Sequence, residues 1–120
     1  MENSYERGFV IKRNDTLPFL VAKITTRACL GSVVPLDLSG ITAVTFSMED
    51  SCGNLAISSK PAQMVSASGG TIQYAWENGD TAEAGYYKGE FEMFFTGGSK
   101  ISVPIIGGIK IQIIEDINNY

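Results

Sequence analysis

Apolar and polar positions alternate with a period of two along much of this chain, the spacing of strands that bury one face. The clearest run is Ala43–Glu49, where Val44, Phe46 and Met48 alternate with Thr45, Ser47 and Glu49. The longest is Tyr86–Phe95. There Tyr87, Gly89, Phe91, Met93 and Phe95 share one face, and Tyr86, Lys88, Glu90, Glu92 and Phe94 the other. The charges assign the second face to solvent. A third run, Thr71–Trp76, places Ile72, Tyr74 and Trp76 together. Further strands are predicted at Phe9–Arg13, Phe19–Thr26 (Leu20, Ala22 and Ile24 inward), Leu55–Ile57, Gln63–Ala67, Lys100–Ile105 and Ile109–Ile114.

Turn-forming residues separate these runs: Asn14-Asp15, Asp50-Ser51-Cys52-Gly53-Asn54, Ser68-Gly69-Gly70 and Gly97-Gly98. Residues 27–36 mix Gly, Ser and Pro and read as a loop, followed by a turn over Leu36–Gly40 with Leu38 tucked inward. The one helical signal is a single turn at Asp80–Ala84, closed by Gly85. No helix long enough for a βαβ crossover is present, so a parallel sheet is not expected. The pattern predicts an all-β, antiparallel sandwich of about seven to nine short strands. A polar arm at residues 1–8 precedes one sandwich domain at 9–120.

Composition narrows the function more than the fold. Of the 120 residues, 44% are hydrophobic and 18% charged, which argues against general disorder. The net charge of −4 disfavours nucleic acid as the main partner. No apolar run approaches the roughly 20 residues that span a bilayer as a helix. The polar N-terminus lacks the apolar core of a secretory signal, so synthesis in the cytoplasm is expected. The chain has no histidine, which removes Ser/His/Asp and Cys/His nucleophile pairs. Cys29 and Cys52 have no CxxC spacing, so a structural zinc site is not expected. Both cysteines fall in loops, and in that compartment they are expected to stay reduced.

The remaining candidates favour structure over chemistry. Glu90/Glu92 and Glu115/Asp116 are paired carboxylates, but a glycosidase needs its pair in a cleft on facing elements. Asp15, Asp37, Asp50 and Asp80 lie in or beside turns, and no calcium-loop spacing joins them. The Gly-Gly pairs at 69–70, 97–98 and 107–108 lack the helix and lysine of a phosphate loop. No catalytic residue, cofactor or metal is therefore expected. Asp80–Tyr87 resembles the tyrosine corner of immunoglobulin-like domains, with Tyr87 as the tyrosine whose hydroxyl bonds back upstream. Trp76, Tyr87 and Asp80 are taken as the residues that define the fold. Tyr86 and Phe94, aromatic on the charged face, are candidates for partner contact.

Five segments in order resemble one family. Phe9–Pro18 is similar to an opening "F-x-I-K-R-G-D-T-x-P", with Asn14 at the glycine, a residue that also tolerates positive φ. Val34–Gly40 resembles "P-V-D-L-[ST]-G", and Val44–Met48 resembles "V-x-F-x-M". Ile72–Trp76 with Gly79–Ala82 is similar to "v-x-Y-x-W-x-x-x-D-T-a", and Gly85–Glu92 to "G-x-Y-x-a-E-F-E". These segments resemble the N-terminal, immunoglobulin-like domain of the upper baseplate proteins of tailed phages. The resemblance implies a non-enzymatic virion protein, made in the host cytoplasm, that docks on other particle proteins at the tail, baseplate or fibre attachment. It implies assembly as a homo-oligomer or within a symmetric particle, with no membrane or nucleic-acid partner. Family members carry a fibre or receptor-binding region after this domain, whereas this sequence stops at Tyr120, so docking is the expected role. The polar arm, with Tyr5 and Arg7, is expected to order on a neighbour's sheet edge. A capsid-decorating protein is the alternative reading. A carbohydrate-binding module, with Tyr86 and Phe94 as its aromatic platform, is the third.

Overall fold

The computed structural model describes residues 8–27, 31–104 and 108–115. The expectations for Tyr5, Arg7, Cys29 and Asp116 lie outside the described residues.

Two long strands form the spine: β5 (Ile41–Asp50) and β9 (Gly85–Phe95), antiparallel over nearly their full length, with Phe46 opposite Phe91. Their alternation buries Val44, Phe46 and Met48 from one strand and Phe91 and Met93 from the other. β6 (Leu55–Pro61) pairs with the free side of β5 through a hairpin. The other side of β9 is shared by two strands. β11 (Ile109–Ile114) covers Gly85–Gly89, and β10 (Lys100–Val103) covers Phe91–Phe94. β1 (Phe9–Lys12) then closes the order β1-β11-β9-β5-β6.

The second sheet is smaller, in the order β2 (Leu20–Lys23), β8 (Thr71–Tyr74), β7 (Gln63–Ser66). It contributes Leu20, Ala22, Ile72 and Tyr74 to the core. Rings fill the space between the sheets. Phe46 stacks on Tyr74 at 4.7 Å, tilts against Phe91 at 5.0 Å and meets Trp76 edge-on at 6.0 Å. Such aromatic pairs add roughly 0.5–1.5 kcal/mol each beyond the area they bury. Gly89 makes this cluster possible. A Cβ there would lie 2.9 Å from the Phe46 ring and 2.8 Å from Ile111 Cδ1. Any larger residue at that position must displace the central ring.

The predicted inward faces of Ala43–Glu49, Thr71–Trp76 and Tyr86–Phe95 are the faces the structure buries or half-buries. Asn14 has φ +69, so the turn after β1 uses the conformation that asparagine tolerates.

Several details depart from the sequence reading. β1 and β11 are parallel, Phe9 opposite Ile111, so the large sheet is mixed and not purely antiparallel. The crossover argument does not apply to them, because these strands lie near opposite ends of the chain and the whole sandwich connects them. Residues 27–36 are not all loop. β3 (Thr25–Arg27) and β4 (Val33–Pro35) pair as a ribbon, with Thr26 opposite Val34. The expected strand Phe19–Thr26 breaks at Ile24, whose N–H donates to Gly70 O and whose carbonyl accepts from Leu36 N. No helix occurs among the described residues. Asp80–Ala84 instead begins in turns closed by Asp80 N to Glu77 O and Ala82 N to Gly79 O. The described strands number eleven, more than the seven to nine expected.

Candidate functional site

The outward face of the large sheet is read row by row across its strands. One row runs Val10–Gln112–Tyr86 and the next runs Lys110–Lys88–Glu49, each side chain directly opposite the next. The β5–β6 turn, residues 51–54, and the β1 edge border these rows and leave a groove of about 610 Å³. Its floor carries Tyr86, which is 68% exposed and accepts a hydrogen bond from Gln112 Nε2 at 3.3 Å. Val10, half of its surface exposed, lines the same groove.

Two lysines, Lys88 and Lys110, and two acids, Glu49 and Asp50, line this groove, and no ion pair joins them. Lys88 and Lys110 stand opposite each other on neighbouring strands, an arrangement of like charges that destabilises a sheet. Among the described residues neither makes an ion pair. Glu49 faces Lys88 from the other side without pairing with it. Asp50 is engaged in the turn. Its Oδ1 accepts from the N–H groups of Asn54 and Cys52, both at 2.9 Å, which holds its carboxyl below the usual range. Cys52 lies exposed in this turn.

The structure separates the two aromatics that the sequence grouped. Tyr86 and Phe94 do lie on one face of β9, but eight residues of strand separate them by roughly 26 Å. Phe94 sits between Ala43 and Lys100 and is half-buried, whereas Tyr86 is open. They do not form a common platform. Near Phe94 the charges are paired, with Lys100 Nζ 3.3 Å from Glu92.

The residues expected to define the fold occupy structural positions. The Tyr87 hydroxyl donates to Glu83 O at 2.7 Å, four residues upstream, as a tyrosine corner requires. Burial, then the charges of Glu83 and Asp50, push its phenol up. Trp76 Nε1 donates to Pro18 O at 3.1 Å while its ring stays in the core. Asp80 is the centre of a partly buried polar cluster. One of its oxygens accepts from the Tyr74 hydroxyl at 2.6 Å and from Glu77 N at 2.8 Å. The other accepts from Lys60 Nζ at 2.9 Å, and that lysine also reaches Glu77 at 3.0 Å. Burial first, then the bond to Asp80, push the Tyr74 phenol far above its usual value. Hydrogen bonds to Asp80 and Glu77 raise Lys60. Lys60 lies on β6 of the large sheet and Tyr74 on β8 of the small one, so the cluster ties the two sheets together.

Of the paired carboxylates, Glu90 and Glu92 lie along one face of β9, and Asp116 lies outside the described residues. Glu90 and Glu92 lie opposite Ser47 and Thr45 on the outward face, and Glu115 pairs with Arg13 at 3.7 Å. Among the described residues no group of His, Cys, Asp or Glu is placed to hold a metal ion. No helix of the described residues is long and apolar enough to cross a membrane.

Sequence reading placed Tyr86 and Lys88 on one strand face but missed Lys110, Gln112 and Val10 as their neighbours. Only the register of β11 on β9 and of β1 on β11 brings Lys110, Gln112 and Val10 beside them.

No family model matches the chain, and no curated protein is similar to it in sequence. Among solved structures it is similar to CopC from Methylosinus trichosporium OB3b. The TM-score is 0.52 and the identity 13%, over 94% of this chain and 89% of that one. A likeness at that identity concerns the fold, and with the tyrosine corner it places the chain among immunoglobulin-like β-sandwiches.

Proposed function

We propose that this chain is a non-enzymatic structural protein of a tailed phage that docks on other virion proteins at the tail, baseplate or fibre attachment. The observation that carries the reading is the ordered set of five motifs between Phe9 and Glu92. Their residues are also the ones on which the sandwich depends. Ile11, Leu38, Phe46 and Met48 are buried, Tyr74 and Trp76 are core rings, and Tyr87 closes the tyrosine corner. The exposed surface around Tyr86 supports a docking role, since open aromatics on a strand face favour protein contact.

The test is the copy number of the protein in purified particles, measured by quantitative mass spectrometry against the major capsid protein. A count at the level of tail components is the expected result. A count close to that of the capsid protein would replace this reading with decoration of the shell. Absence from particles would remove the virion role altogether.

A further inference from the structure

Asn78-Gly79 is the one Asn-Gly step in the sequence, and it forms the tip of the turn that carries the Asp80 cluster. Asp80 N donates to Glu77 O at 3.0 Å, so Asn78 and Gly79 are the two central residues of that turn. Gly79 has φ +93, a conformation that glycine adopts without steric cost. Both residues are exposed, and a Cβ added to Gly79 would meet no atom within 4 Å. Among the described residues neither the Asn78 side chain nor the Gly79 N–H has a hydrogen-bond partner. A side-chain amide and the next backbone nitrogen thus stand open to water, with no side chain on Gly79 to shield the nitrogen. The other described asparagines differ. Asp15 N, which follows Asn14, already donates to Lys12 O at 3.1 Å, and Leu55 puts a branched side chain beside the nitrogen that follows Asn54.

We infer that Asn78 is a site of spontaneous deamidation, and that its isoaspartyl product loosens the tie between the two sheets. The Gly79 nitrogen, on losing its proton to base, attacks Asn78 Cγ. The new C–N bond closes a succinimide ring, and the Cγ–Nδ2 bond breaks, with Nδ2 leaving as ammonia. Water then opens the ring at either carbonyl. Opening at Cγ leaves aspartate at position 78. Opening at the backbone carbonyl leaves isoaspartate, whose chain runs on through Cγ. No electrons are exchanged, and water is the only co-reactant. The turn is too short to absorb this change. Isoaspartate adds one carbon to the backbone between Glu77 and Asp80, whose reciprocal bonds, Asp80 N to Glu77 O and Glu77 N to Asp80 Oδ2, fix the turn. It also adds a carboxylate to a turn whose two acids already share Lys60. Displacing Asp80 takes the acceptor from the hydroxyl of Tyr74, a buried residue. The inference is independent of the docking role, since the chemistry is the same whatever the chain binds.

The experiment incubates the folded protein in mildly alkaline buffer and follows each asparagine by peptide mass spectrometry. Isoaspartate is scored by methyl transfer from a protein isoaspartate methyltransferase. Asn78 is expected to convert first, ahead of Asn14 and Asn54, and faster as pH rises, because the attacking nitrogen must give up its proton. The purified isoaspartyl form should show NMR amide shifts at residues 60, 74, 77 and 80 and a Tm lower by about 4 °C, the effect of one lost buried hydrogen bond. N78Q is the control, since its longer side chain closes the corresponding ring far more slowly. With its side chain in water, it should start with the parent's Tm and keep it through the same incubation. Earlier conversion at Asn14 or Asn54, an Asn78 that stays intact, or an N78Q protein that loses Tm as the parent does would each overturn the site. A converted protein with unchanged Tm and unshifted amides at 60, 74 and 80 would overturn its link to the cluster.

Discussion

Asp80 and Lys88 both sit among charged and polar side chains, yet their surroundings are built in opposite ways. The Asp80 carboxylate is only 4% exposed, and it has a hydroxyl, a backbone N–H and an ammonium group within 2.9 Å. Lys88 is exposed between a like charge on one side and an unpaired glutamate on the other. Burial explains the contrast. A polar group removed from water must recover its hydrogen bonds inside the protein, and leaving one unsatisfied costs about 1–3 kcal/mol. A solvated lysine is under no such requirement. Satisfied polar groups mark what holds the two sheets together, and water takes that part at the exposed ones.

The strongest way to break this contrast is at Asp80. Asp80→Ala strips the acceptor from the Tyr74 hydroxyl, Glu77 N and Lys60 at once. The tyrosine then remains buried with an unsatisfied O–H, while the lysine, about one-third exposed, turns to water. A loss of about 2–4 kcal/mol in urea unfolding is expected, among the larger effects a single substitution produces. A loss under about 0.5 kcal/mol, the ordinary range for surface sites, would place Asp80 in the same class as Lys88.

Tyr74→Phe is gentler, because it removes one donor and keeps the ring against Phe46. A loss of about 1–2 kcal/mol is expected. The same cluster sets the behaviour in alkali. The folded protein raises Tyr74 above 10.0 and Lys60 above 10.5, so both hold their protons more tightly folded than unfolded. Their stabilisation is complete below those ordinary values and is lost as pH rises above about 10, when the unfolded chain releases its protons first. Thermal melts across that range should show Tm falling, and Tyr74→Phe should flatten the fall. An equal slope in the variant would mean that Tyr74 contributes nothing to it.

How much of this was legible follows from which information is local. Period-two alternation identifies Phe46, Met48 and Phe91 as core because facing alternates within a single strand. Tyr87 was legible through a short motif whose hydrogen bond closes within four residues. Asp80 was marked by its turn, but Lys60 was missed, since its approach depends on how β6 passes the end of β8. Alternation also says which way Phe94 points without saying what flanks it, so its half-burial was invisible. The β3–β4 ribbon was hidden by Gly, Ser and Pro in residues 27–36. The pairing of Val33 and Val34 with β3 overrides that composition. Lys88 and Lys110 are neighbours only through the β9–β11 register, and no local pattern encodes a pairing between distant strands.

The smallest expected effect is the most discriminating. Lys110→Glu replaces a like-charge pair with opposite charges in the same cross-strand register. If Lys88 and Lys110 repel in the free protein, this substitution should stabilise it by about 0.2–1 kcal/mol, with the gain shrinking as salt screens the pair. If Lys110→Glu leaves Tm unchanged at low salt, the two lysines are already far enough apart in water to ignore each other. The exposed row would then be an ordinary solvated face, and the contrast with Asp80 would reduce to burial alone.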